Sequence, residues 1–435
     1  MLVLLFDALS HSCPASHSWN TTTGPDPLLP IYQRGILYGD SNVREVAASG
    51  LGEIIALTDS KYLAGPFVVK MTGPLLRIVG DRNPSNVKVA IIRTLGLILQ
   101  KGGPALRAFA PQFQTTFVKA LSDLSRQVRV EATKALALLM PLSLRADPLI
   151  KELVSGSLGK GISTSVESAG IVAIQTATLE ALASVLKHGG SKAILPDTVP
   201  SALEAGKELL THQDDGVREG AAKVIGAACD VLGDGTASEV ARDVILQSSD
   251  SSSEAKHGKS YASYRILSSS AGRNIDIDDF SRMTDLVKSW MEDETSMVRE
   301  AACVAVGAVI GASKETVSTM KNVEGSILKC MDPSQNMEVH KAVARGLCAA
   351  VRLKPTVFRG KPGLPIMDGA LKLAMSGSQR VQLAFNDFLW LALALGQGDD
   401  GLNDYASVAM FENVKTMKTL ASKVLTRIKD VPEDD

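Results

Sequence analysis

Residues 156–163, GSLGKGIS, bring three glycines and a lysine close enough together to suggest a loop that cradles phosphate oxygens. That chemistry needs four residues between the first glycine and the Gly-Lys pair, with Ser or Thr following to hold Mg²⁺. Here Gly156 and Gly159 enclose only two residues, and Gly161 stands where the hydroxyl should be, so a nucleotide site is not expected. The six histidines (His11, His17, His188, His212, His257, His340) show no metal-ligand spacing. Residues 274–280, NIDIDDF, cluster acids but lack the central glycine and terminal glutamate of a calcium loop, and are read as a helix start. No Gly-x-Ser-x-Gly occurs. The expectation is a protein with no catalytic residue, metal or cofactor.

The remaining charged residues recur with a period. A basic residue stands one position after an apolar one at Arg44, Lys88, Arg129, Arg218, Lys256 and Arg299. Each of five has an acid shortly upstream: Asp40, Asp81, Asp123, Asp215 and Asp293. A groove that binds a ligand is one reading. The reading adopted is an internal ladder, in which each acid caps a helix and pairs with the basic residue of an adjacent repeat.

What must position such a ladder is a repeated helix. Phrases of one pattern start at Val43, Val87, Val128, Val217 and Val298, with weaker ones at Ile174, Ala255, Val339 and Val381, spaced 38–46 residues apart. A period near 40–47 belongs to HEAT and armadillo arrays. Positions 0, +4 and +8 are apolar along one helical face, for example Val87, Ile91 and Leu95. Position +9 is small (Gly52, Gly96, Ala137, Ala183, Gly226, Gly307), which lets helices approach closely. The Ala255 phrase carries Lys259 and Ser263 at +4 and +8 and is placed by spacing alone. A second helix precedes each phrase, as in residues 66–80 and 109–121, the former with Pro74 predicting a kink or break. Strand alternation is absent. The fold expected is all-α: an α-solenoid of about nine to ten HEAT-type helix pairs in a right-handed superhelix.

Composition narrows the function. Of 435 residues, 46 are Lys or Arg and 47 Asp or Glu, so no overall field favours sequence-specific nucleic acid or an anionic membrane. Aromatic residues make up 4%, too few and too scattered for base stacking. The five cysteines (Cys13, Cys229, Cys303, Cys330, Cys348) form no CxxC and read as small core residues in a reducing compartment. The opening MLVLLFDAL lacks a basic flank and is interrupted by Asp7, and no later segment looks transmembrane. The layout expected is an irregular leader over 1–30, repeats over 31–246, a Ser-rich loop or poorly formed helix start over 247–259, repeats over 260–428, and an acidic tail over 429–435. Residues 354–365 read as a Pro/Gly-rich linker.

Residues 71–123, with TGPLLR, NVK and above all PQFQTTFVKAL, resemble the C-terminal region of the very large HEAT-repeat translational activator of the general amino-acid control pathway. The resemblance runs from about Ile36 towards the end and weakens beyond Gly190. It implies a cytoplasmic, ribosome-associated scaffold, present here as a C-terminal fragment. That scaffold binds the RWD domain of the kinase that phosphorylates the alpha subunit of translation initiation factor 2. Ribosome contacts of the family lie mainly upstream of this region. The family has an arginine important for kinase binding in an R-E-x-x-A segment, and the matching positions are Arg44 and Glu45. A transport adaptor of the importin type, or a phosphatase scaffold, is the alternative that the same repeats permit.

Overall fold

The computed structural model describes residues 28–63, 66–80, 82–160, 167–233, 235–247, 252–358 and 363–395. Among these every regular element is helical, and the helices alternate as pairs. The pairs are α1 (Leu29–Tyr38) with α2 (Ser41–Leu57), α3 (Pro66–Ile78) with α4 (Ser85–Gly102), and α5 (Ala110–Ala120) with α6 (Arg126–Leu139). Then come α7 (Asp147–Ser157) with α8 (Ser168–Ala193), followed in the chain by α9 (Val199–Leu209) and α10 (Asp215–Leu232). Next, α11 (Thr236–Ala241) runs into a π-turn at Arg242–Leu246 and pairs with α12 (Ser253–Ser268). The last pairs are α13 (Ile277–Met291) with α14 (Ser296–Ala312), α15 (Thr316–Cys330) with α16 (Met337–Leu353), and α17 (Leu364–Ser376) with α18 (Gln379–Leu395).

The chain divides into two compact units, one of residues 1–209 and 223–232, the other of 210–222 and 233–435. Within the first, α2, α4, α6 and α8 stack side by side, and the preceding helices α1, α3 and α5 form a second layer. Within the second, α12, α14, α16 and α18 stack in the same way, backed by α13, α15 and α17. This is the all-α solenoid of helix pairs that the repeat predicts, each layer covering the apolar side of its neighbour.

The stripe at positions 0, +4 and +8 is the core. Val43, Ala47 and Leu51 are buried, as are Val87, Ile91 and Leu95, and Val298, Ala302 and Val306. Even the Ala255 phrase obeys: Lys259 and Ser263 are buried with Ala255. The Ser263 hydroxyl donates to the Lys259 carbonyl at 2.8 Å, so it enters the core without an unmet donor. From Ser253 onward the Ser-rich stretch is therefore helix, not loop, and residues 248–251 lie outside the described residues. Ser252 caps α12, its hydroxyl accepting from the Ala255 amide at 3.2 Å, and hydrophobic letters failed to signal a helix whose first three turns bury Ala255, His257, Gly258, Lys259, Ser260, Ala262 and Ser263.

Pro74 does not break α3, which runs through it to Ile78. Proline cannot donate to the carbonyl four residues back, here that of Lys70. Gln33 of α1 donates its side-chain amide to that carbonyl at 2.9 Å and satisfies it from outside. The leader expected to reach residue 30 gives way to helix at Leu29, and the rest of it lies outside the described residues, as do Cys13, the acidic tail and residues 396–428.

Ser168–Gly190 of α8 is long and apolar enough to cross a bilayer by length and composition. More than half of it is buried within the array, with Leu179, Leu182, Val185 and Leu186 at 1% exposure or less, which accounts for its apolarity as core. Gly190, at φ +66°, kinks the end of the helix in a backbone region that only glycine adopts readily.

Candidate functional site

The basic residues of the repeat sit where one helix turns into the next, and they divide by type. The arginines hold main-chain carbonyls of their own turn. Arg129 donates through Nη1 to the carbonyls of Asp123 and Leu124 at 2.7 and 2.9 Å. Arg299 does the same with Asp293 and Glu294, again at 2.7 and 2.9 Å. Arg218 grips His212 and Gln213 at 2.5 and 2.8 Å. Arg44 reaches the Leu37 carbonyl at 3.4 Å and the Asn83 side-chain oxygen at 2.8 Å. These carbonyls close the preceding helix and have no partner within it, so a planar fork of donors is well matched to them. His340 occupies the equivalent place, its Nε2 lying 2.9 Å from the Asp332 carbonyl.

The lysines do what the ladder expected of all. Lys88 reaches the Asp123 carboxylate of the following repeat at 2.7 Å, and Lys256 reaches Asp293 at 2.7 Å. Both carboxylates also accept a backbone amide two residues on, Ser125 and Thr295, at 2.8 and 2.9 Å. Asp293 is thus held below the ordinary carboxylate range: burial pushes it up, but the Lys256 and Thr295 hydrogen bonds outweigh that. Asp40 caps α2 by accepting from the Val43 amide at 2.9 Å. In the fifth pair the cap is Asp214, not Asp215, which accepts instead from its neighbour Gly216. Asp81 lies outside the described residues. The arginine-to-carboxylate pairing between repeats is thus replaced by an arginine-to-carbonyl grip within one.

Arg218 is the most enclosed of these residues, at 1% exposure. Beyond its two carbonyls, its Nε donates to His257 Nδ1 at 3.0 Å and Nη2 approaches the Met297 sulfur at 3.2 Å. An acceptor role for Nδ1 requires neutral imidazole. Burial first, then the Arg218 charge, pull the His257 pKa down to about 4. The two residues form one buried polar unit.

Arg44 and Glu45 diverge. Arg44 turns into the helix junction, whereas Glu45 accepts from the Asn86 side chain and borders an open cleft of about 500 Å³ on α2, α4 and α6. Arg93, Arg126, Val130 and Glu131 line the rest of it. Arg93 pairs with Glu131 at 3.2 Å. Arg126 has no ion-pair partner among the described residues, and its charge and that of Glu45 are the two left open in a cleft whose lining carries equal numbers of arginines and glutamates. Its shape and mixed charge suit a protein surface rather than a small molecule.

Several positioning residues carried no signal in the repeat pattern. Lys101 reaches back from α4 to the Ala56 and Thr58 carbonyls at the end of α2, and Lys354 of α16 reaches the Ser313 carbonyl and Thr316 hydroxyl beyond α14. Their common place at the end of the second helix of a pair was the available clue. Asp147, buried at the start of α7, accepts from the Leu195 amide and the Thr198 hydroxyl, both at 2.9 Å. Within GSLGKGIS, the amides of Gly159 and Lys160 donate to the Gly156 and Ser155 carbonyls, closing the end of α7. Among the described residues no group of three or more His, Cys, Asp or Glu is placed to hold a metal.

Comparison with known proteins decides between the readings of this array. Residues 147–357 match the family described as "Stalled ribosome sensor GCN1-like, HEAT repeats". This stretch belongs to the GCN1-like HEAT-repeat family. The chain is 37% identical over 284 residues to Protein ILITYHIA of Arabidopsis thaliana, covering 65% of this chain and 10% of that protein. It is 36% identical over 253 residues to the stalled ribosome sensor GCN1 of Homo sapiens, covering 58% of this chain and 9% of that protein. It is 34% identical over 224 residues to the eIF-2-alpha kinase activator GCN1 of Saccharomyces cerevisiae, covering 51% of this chain and 8% of that protein. The chain spans about a tenth of the length of these curated relatives. In fold it is similar to Kap121p bound to Pho4p, with a TM-score of 0.51 at 14% identity over 97% of this chain and 44% of that one. At that identity the likeness is one of fold alone. The GCN1-like arrays are thus favoured over a transport adaptor built on the same repeats.

Proposed function

We propose that this chain is a non-catalytic scaffold of a GCN1-type activator, acting in the cytoplasm on ribosomes and on the kinase that phosphorylates translation initiation factor 2 alpha. The observation that carries the reading is the match of residues 147–357 to the GCN1-like repeats, together with relatives whose names are ribosome sensor and kinase activator. Surfaces of stacked helix pairs work by recognising other proteins. The kinase partner is its RWD domain, engaged by the first repeats, and the cleft lined by Glu45 and Arg126 is the contact assigned to it.

Arg44 deserves a different test from the one its motif suggests. It ties α2 to the Leu37 carbonyl and to Asn83, so Arg44→Ala removes hydrogen bonds of the fold as well as any contact with a partner. The loss expected is about 1–3 kcal/mol of stability. Arg126→Glu alters the cleft at the first residue of α6 and removes no hydrogen bond or ion pair formed among the described residues. The expected result is that purified chain binds an isolated RWD domain and co-sediments with ribosomes. Arg126→Glu should weaken RWD binding about tenfold without lowering the melting temperature, since an acid in the first turn of α6 beside Arg129 favours the helix. Equal affinity of Arg126→Glu and wild type removes the cleft from the account, and failure of the wild type in both assays removes the function.

A further inference from the structure

A second concavity is built from the later helices alone. It holds about 370 Å³ between the turn at 272–275, the start of α13, the loop after α14 and the start of α15. Its floor is apolar: Ile275 is 4% exposed and Phe280 half-buried, while Ile277, the first residue of α13, stands 76% exposed at the edge. Charge is not balanced there. Arg273 and Lys314 line the groove, both exposed, and Glu315 is the one carboxylate among its lining residues. None of the three forms an ion pair among the described residues. Lys354 donates to the Ser313 carbonyl at 3.4 Å and to the Thr316 hydroxyl, which brings a third ammonium to the same rim without a carboxylate. The nearby acids of α13 do not offset these charges. Asp276 and Asp279 both pair with Arg242, the latter at 2.7 Å, and exposed Asp278 lies outside the lining. Open donors remain in the exposed hydroxyls of Ser281 and Ser318 and in Asn322, whose Oδ1 accepts from Lys288 at 2.9 Å.

We propose that this groove is a docking site for an acidic peptide segment of a partner protein, one or two apolar side chains set among carboxylates. The apolar side chain enters over Ile275 and Phe280 and covers Ile277, which otherwise faces water. Carboxylates on either side of it meet Arg273 and Lys314 in charge-assisted hydrogen bonds. The Ser281 and Ser318 hydroxyls and the Asn322 amide donate to carbonyls of the peptide. Exposed cations are screened by salt, so they speed encounter and set orientation, while the buried apolar side chain prolongs the complex. A nucleic-acid strand would satisfy Arg273 and Lys314 but leave the apolar floor uncovered. A wholly apolar peptide would gain nothing from the two cations. The volume is near the lower end for a ligand pocket, which suits a few side chains rather than a domain surface. The groove shares no residue with the cleft lined by Glu45 and Arg126, and does not depend on the reading proposed for that cleft.

The test is fluorescence anisotropy of the fluorescein-labelled octapeptide DEELFDEE, titrated with the folded full-length chain at about 0.15 M salt. Saturable binding is expected, about tenfold tighter than for DEESSDEE, which lacks the apolar pair, or for NQQLFNQQ, which lacks the carboxylates. Arg273→Glu combined with Lys314→Glu should weaken DEELFDEE about tenfold, and Ile277→Ser about threefold. All three residues are exposed, and a circular-dichroism melt checks that each variant is folded. Arg126→Glu should leave the peptide affinity unchanged, so failure of this groove and failure of the cleft on α2, α4 and α6 are told apart. The proposal is overturned if the peptide does not bind, if DEESSDEE binds as well, or if the double variant keeps the wild-type affinity. It is overturned equally if a single-stranded oligonucleotide displaces the peptide in a manner that depends on Arg273 and Lys314. Changing residues 433–435 from EDD to QNN should not alter the affinity. Tighter peptide binding by that variant would make the chain's own acidic end the occupant and remove the partner.

Discussion

Arginine and lysine at the same repeat position do different work, and the reason lies in their head groups. One guanidinium nitrogen with its two coplanar N–H bonds donates to two successive carbonyls, as Nη1 of Arg129 and Arg299 does, whereas a compact ammonium settles on one carboxylate, as Lys88 and Lys256 do. His257, inserted beside Arg218, makes a distinct demand on pH. Its pKa falls from the ordinary 6.5 to about 4 in the fold, so between those values the unfolded chain binds the extra proton. Stability is then complete above about pH 6.5 and falls as pH drops through that value, levelling near 4. The loss approaches about 3 kcal/mol, since each unit is worth about 1.4 kcal/mol. Urea titrations of wild type and His257→Gln at pH 7.5 and 4.5 should show the wild type losing more by that difference. Equal losses would mean that His257 is charged in the fold. The acids were legible as helix caps because aspartate before a helix has few other uses, as Asp40 shows. The targets of the arginines were not, because every residue has a carbonyl and no letter marks one as unpartnered.

The second helix of each pair was legible from its stripe, since burial follows the 0, +4, +8 positions from Val43 to Leu389. Legibility failed at α12, where small and polar residues, Lys259 and His257 among them, take much of the buried face, and spacing alone placed the helix. Small residues there and at position +9 serve closeness rather than apolarity. On α14, a Cβ on Gly307 would lie 1.7 Å from the Gly346 carbonyl oxygen of α16, so the two backbones touch. Gly307→Ala gains about 1 kcal/mol of helix propensity but must force the helices apart, at about 1–3 kcal/mol or more. A lower melting temperature is expected for Gly307→Ala. Gly325→Ala on α15, where a Cβ meets nothing within 4 Å, should hold or raise it. If both variants are stabilised, the backbone contact between α14 and α16 is not made in solution.

An array held by neighbours should feel such damage locally. Hydrogen exchange of Gly307→Ala is expected to quicken in α14 and α16 while α4 and α6 keep their protection. Uniform loss along the chain would instead mean one cooperative whole. At this scale the helix pairing was readable because period survives substitution, while the cleft beside Glu45 was not, since it depends on three phrases 41–44 residues apart facing one way. The two kinds of basic residue also bear on how such a chain can lengthen. A repeat whose arginine closes its own corner carries that fastening wherever it is copied. A repeat with lysine is finished only when an aspartate arrives with the module after it, so Lys88 and Lys256 commit their repeats to a particular successor. Insertions and deletions during descent should therefore be tolerated next to Arg129 or Arg299 and be rare just after Lys88 or Lys256.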